Sequence, residues 1–154
     1  MSDIVKADKP TSLEPMRQQV SVVKALGPTV LQRYSVQLQG RTYIQVAGAT
    51  LIANGMGYTV RELEVKRADY GGGITGWEAT AEVIDTETGQ VIGRGSGIVT
   101  DDERPWASRP QFARRAMAST RAAGRALRLC MGHLYCYLGD KVAPTTAEEM
   151  PEET

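Results

Sequence analysis

The sequence predicts a single α+β domain. An N-terminal helix, a short hairpin and a small helix lead into a three-stranded antiparallel meander packed on a long C-terminal helix, a β-β-β-α core. Three observations predict it. Apolar residues recur at helical spacing in Met16, Val20, Val23 and Leu26, and a second helical pattern fills residues 110–137. Between them Trp77, Ala79, Ala81 and Val83 alternate with Glu78, Thr80, Glu82 and Ile84, the period of a strand. With 154 residues, 42% of them hydrophobic, the chain has the size and composition of one core.

Taken in order, residues 1–11 are polar and aperiodic and read as a mobile N-terminus, without the apolar run of a secretory signal. The single folded domain is expected to span 12–142. Leu13 to Leu26 forms its first helix, which Gly27-Pro28 is expected to stop. Val30 to Leu38 reads as a strand that Gln39-Gly40 turns into a second one ending at Ile44. Gln45 to Met56 is a small-residue helix closed by Gly55 and Gly57. Tyr58 to Arg67 opens the meander, Asp85 to Gln90 supplies a hairpin loop, and Val91 to Thr100 closes it. Gly93, Gly95 and Gly97 share one face of that last strand and leave room for close packing, assigned here to the small-residue helix. Ser108 to Gln111 has the S-x-x-Q pattern of a capping box at the start of the long helix. Residues 143–154 form an acidic, flexible tail. It reads as a solubilising end, with competition for a basic groove as the alternative.

Charge is unevenly placed. The formal net charge is zero, yet residues 141–154 carry Lys141 against Glu148, Glu149, Glu152 and Glu153. The rest of the chain is therefore basic, most of all between Arg104 and Arg128, where seven arginines lie without an acid. On a helix of about 100° per residue, Arg114, Arg121, Arg125 and Arg128 fall in a sector of roughly 60°. The opposite stripe carries Phe112, Ala116, Ala123, Ala126, Leu127, Cys130 and Leu134, the side expected to sit on the sheet. No carboxylate stands at i±4 to neutralise the arginines, and Ala118, Ala122 and Gly124 are small enough to admit a polymer. Guanidinium forks in a row suit phosphate oxygens. Arg115 adds a further cation, and Lys66-Arg67 beside Tyr70 gives a basic, aromatic hairpin tip. A solvated surface helix is the competing reading of the same residues.

Other motifs carry less. Gly71 to Gly76 matches G-x-G-x-x-G, but a strand and not a helix follows, so it is a loop. No G-x-x-x-x-G-K-[ST] is present, which argues against ATP-driven action. Cys130, His133 and Cys136 lie on one helix, which cannot wrap three ligands around zinc, so no metal is assigned. One histidine without a nucleophile motif gives no hydrolase triad. Asp101, Asp102 and Glu103 suggest a metal-dependent nuclease site, a minor alternative, since consecutive acids on a loop usually serve solvation. Two cysteines do not make a disulfide framework, and no apolar run approaches about 18 residues. The expectation is a protein of the cytoplasm, in a prokaryotic or phage-infected cell, with no membrane contact and no cofactor.

Several separated segments, in one order, resemble the annealing domain of the Rad-fifty-two-type recombination proteins and their phage relatives. Leu26-Gly27-Pro28 resembles that family's L-G-P. Tyr43-Ile44, Ala53-Asn54 and Gly57-Tyr58 resemble its Y-I … A-N-x-M-F-G-Y segment, one residue shorter. Arg115, Ala118, Thr120, Arg125-Ala126-Leu127-Arg128 and Gly132 are similar to its long helix, and residues 143–151 resemble the tails of phage annealing proteins. The resemblance covers Leu13 to Asp140. It departs at Gly124, where the family has lysine, near Ala47 or Gly48, where it has arginine, and at Arg121, where a relative has an acid.

The resemblance implies a ring or helical filament of identical subunits with single-stranded DNA in a positive groove. Arg125 and Arg128 match the groove arginines, and Tyr58 matches a tyrosine near them. The expected activity is ATP-independent single-stranded DNA binding and annealing in recombination and repair, with no catalytic residues. An exonuclease or a single-strand-binding protein is the partner such an activity suggests. A self-assembling structural protein that never binds DNA is the main alternative.

Overall fold

The computed structural model describes residues 13–151. The expected mobile N-terminus, residues 1–11, lies outside them. Helix α1 spans Leu13–Arg33, strands β1 (Ser35–Leu38) and β2 (Arg41–Ile44) form a hairpin, and helix α2 spans Val46–Gly55. Strands β3 (Tyr58–Asp69), β4 (Thr75–Asp85) and β5 (Val91–Thr100) form an antiparallel sheet in that order. Helix α3 (Gln111–Met131) lies across it and runs into a 3-10 segment, Gly132–Leu138. The protein is α+β, with the meander packed on the long C-terminal helix as the sequence predicts.

Helix α1 does not stop at Gly27-Pro28. It runs through Pro28 to Arg33, burying Val23, Gly27 and Val30 at four- and three-residue intervals. Pro28 removes one helical hydrogen bond, but Lys24, Ala25, Pro28 and Thr29 are all exposed, so water can reach the carbonyl left over. The buried stripe outweighs the local break. The strand expected from Val30 therefore begins only at Ser35, and Gln39-Gly40 makes the turn with φ of 52° and 77°. Helix α2 packs on α1 through its glycines: a Cβ on Gly55 would stand 2.8 Å from Leu26 and one on Gly48 2.9 Å from Val30.

The glycine face of β5 receives α3, not α2. A Cβ on Gly95 would lie 2.9 Å from the Ala122 carbonyl, and one on Gly97 would overlap the backbone of Ala118 and Ala122. Glycine here lets a helix backbone rest almost directly on a strand backbone. That choice turns α3 from its expected orientation. Its buried residues are Ala118, Arg121, Ala122, Gly124, Ala126, Leu127 and Met131, while Phe112 is 76% exposed and Ala116 is exposed. The small residues thus face protein instead of a polymer. The capping box is also absent: Pro110 is the N-cap with no side-chain cap, and Ser108 donates to the Pro105 carbonyl.

On the far face of the sheet, Glu82 is 3% exposed between Arg61 and Arg94, its neighbours in register on β3 and β5. Residues 143–151, expected as a flexible tail, are held against the domain. Val142 bridges to Thr42, the Ala143 amide donates to the Thr42 carbonyl at 2.8 Å, and Thr146 is fully buried. The reason is Gly124, where a Cβ would stand 2.5 Å from Thr146 Oγ1. Its bare Cα gives the tail a seat on α3.

Candidate nucleic-acid interface

The arginine face of α3 opens between β5 and the tail. A groove of about 270 Å³ lies there, walled by Ser96, Gly97 and Ile98 on one side and by Glu149 and Pro151 on the other. Arg121 and Arg125 form its floor, with Glu103 at one end.

The four arginines predicted to share a face do share it, but they do different things. Arg121 is 9% exposed and forks onto Glu103, with Nη1 at 2.8 Å, while donating to the carbonyls of Ile98 and Glu148 at 2.8 Å each. It fastens the loop after β5 and the tail to the helix. Arg114 has a side chain 12% exposed; it donates to the Arg109 carbonyl and stands 3.4 Å from Asp101. Arg128 uses only Nε, at 3.1 Å, on Glu149, so its terminal nitrogens bond no described residue. Arg125 is exposed and pairs with no described carboxylate. Of the four, Arg114, Arg121 and Arg128 are therefore engaged, and only Arg125 is without a partner among the described residues. Sequence-local reasoning found no acid at i±4; the acids come from 18 and 21 residues away.

A second basic group gathers at the end of the sheet, where β4 begins and β5 ends. Asp101 accepts both nitrogens of Arg67, one at 3.0 Å, and the Thr75 hydroxyl at 2.7 Å. Those hydrogen bonds, from Arg67 first and Thr75 next, hold its carboxyl well below the usual carboxylate range. Trp77 lies between Arg67, 5.2 Å from its ring centre, and Arg115, 5.9 Å away. Arg109 stacks on Trp106 at 4.1 Å. Arg67 is thus a structural tie at the tip, Arg115 and Lys66 are exposed, and Asp101 and Glu103 serve arginines where a nuclease would need them for metal. No group of three metal-ligating side chains occurs among the described residues.

Tyr58 does not line the groove. Its hydroxyl accepts from Gln19 Nε2 at 2.9 Å, tying β3 to α1. Cys130 is half-buried, its thiol pushed up to about 11 by burial, and Cys136 is exposed. No described helix is long and apolar enough to cross a membrane.

The residue that sequence reasoning missed is Glu149. It bonds Arg128, and it closes a capping box on Thr146 with 2.8 Å from the Thr146 hydroxyl. The T-x-x-E spacing of Thr146 and Glu149 was the available signal. Compared with known proteins, the sequence matches no protein-family model and no curated protein.

Proposed function

We propose that the protein binds single-stranded DNA and anneals complementary strands without ATP, as an oligomer of identical subunits. One observation carries the reading: Arg125 stands exposed in the groove and pairs with no described residue, one helical turn from Arg121 on one side and from Arg128, whose terminal nitrogens bond no described residue, on the other. A free guanidinium beside others is the arrangement that takes a phosphate by paired hydrogen bonds. Such contacts read no sequence, which suits a protein that leaves recognition to base pairing. One groove per subunit is a modest site. Repetition around an oligomer raises avidity through effective concentration, and every neutralised phosphate makes binding more sensitive to salt. No covalent step is needed.

The test is the rate at which two complementary labelled oligonucleotides anneal without ATP. Replacing Arg125 and Arg128 together with Ala should slow it by about tenfold or more, since each charge-assisted contact contributes about 1.5–3 kcal/mol. A rate within twofold of wild type would remove the groove from the mechanism.

A self-assembling structural role is the second reading, and the sheet favours it. Both β3 and β5 are edge strands, 12 and 10 residues long, with Leu63, Val91 and Ile92 exposed along them. Assembly without any shift of an oligonucleotide at low salt would select it over annealing.

A further inference from the structure

The segment that walls the arginine groove is also the most acidic part of the chain. Ala147–Glu149 form a single 3-10 turn with no buried residue, although Thr146 just before it is fully buried. The tail is pinned at Thr146, and the half-buried turn beyond it is held by polar contacts instead of apolar burial. Two of them come from the arginine face itself: the Glu148 carbonyl accepts from Arg121, and the Glu149 carboxylate accepts from Arg128. Glu148 Oε1 also caps the start of α2 through the Val46 amide at 2.9 Å.

A carboxylate on a guanidinium has the charge and acceptor geometry of a phosphate oxygen pair. Pro151 closes the groove and at the same time lines a second cavity, of about 670 Å³, on the tail's other side. That cavity is bounded by Leu38, Tyr43, Met117 and Met150. The tail is the partition between the two. Swung away at Thr146, it would join them into one trough, with guanidiniums on one side and an apolar, aromatic wall on the other. Those are the surfaces that the backbone and the bases of a single strand require.

We propose that residues 147–151 are a built-in competitor, a strap along the arginine groove whose Glu149 stands on Arg128 as a phosphate mimic and that single-stranded DNA must displace. This rests on the DNA-binding reading above. The strap's effect is a tax on affinity: a strap closed in about nine molecules of ten weakens apparent binding about tenfold.

The experiment measures binding of a fluorescent oligodeoxythymidine at low salt to the full chain, to a chain lacking residues 147–154, and to the full chain carrying Glu149→Gln. Thermal melts accompany each protein. Truncation should tighten binding roughly tenfold and E149Q severalfold. Adding Arg125→Ala to the truncated chain should erase the gain, and a synthetic peptide of residues 147–154 should compete with the oligonucleotide. If the full chain binds but neither variant binds more tightly, the strap is not a competitor and the DNA-binding reading stands. If no form binds, the DNA-binding reading fails and the strap falls with it. Should the truncated chain fail to fold, E149Q decides, because it keeps the Thr146 anchor and removes one charge.

Discussion

Replacing Arg121 with Ala separates the arginines that hold the fold from the exposed one. The side chain is 10% exposed and makes four hydrogen bonds, two to Glu103 and one each to the carbonyls of Ile98 and Glu148. Breaking a buried ion pair from one side costs about 3–5 kcal/mol, because a charge is left behind without a partner. Glu103 keeps 24% of its side-chain surface and can turn to water, which lowers the expected loss to about 3 kcal/mol. At about 2–4 °C per kcal/mol for a chain of this size, the melting temperature should fall by roughly 6–12 °C. Arg121→Lys should recover only part of this, since one ammonium cannot reach four acceptors held in a plane. Arg125→Ala, at an exposed site with no described partner, should change stability by about 0.5 kcal/mol or less. Thermal melts and urea unfolding of the three variants together read all of this. If R121A melts within a degree or two of wild type, or R125A loses as much as R121A, the division of labour along α3 is wrong.

Two further outcomes follow from the sheet. Gly97→Ala drives a methyl into the backbone of Ala118 and Ala122, and should destabilise by about 3 kcal/mol, the upper end of core overpacking. Gly93→Ala meets its nearest atoms at 3.0 Å and should cost distinctly less; equal losses would refute the close helix-on-strand contact. Asp101 governs the acid side. Its folded carboxyl titrates below the unfolded value of about 3.9, so its stabilisation is present above that pH and is lost as pH falls through the folded value. Wild type should lose stability below about pH 4 more steeply than Asp101→Asn, which lacks that proton linkage; parallel curves would contradict it.

Much of the architecture was legible in the sequence, for identifiable reasons. Alternation from Trp77 to Ile84 and the glycine-marked turns specify the meander, because a half-buried strand and a positive φ leave local traces. What was not legible depends on contacts between distant residues. Pro28 looks like a stop until Val30 is seen buried beside Gly48. The face that α3 buries is chosen by Gly95 and Gly97, which accept Ala122 more closely than they could accept Phe112. The arginine cluster was visible, but its state was not: Glu103 and Glu149 reach it from other elements, leaving Arg125 without a partner among the described residues. The ordered tail was hidden in the same way, since Gly124 and Thr146 are small and unremarkable until they touch.

The central claim is that the Arg125 groove holds a sugar–phosphate chain, and binding of oligodeoxythymidine across a salt series tests it most directly. Affinity should fall steeply as salt rises, and R125A/R128A should both weaken binding at low salt and flatten the slope. Binding that is absent at low salt, or whose strength and slope survive loss of both arginines, would contradict the account.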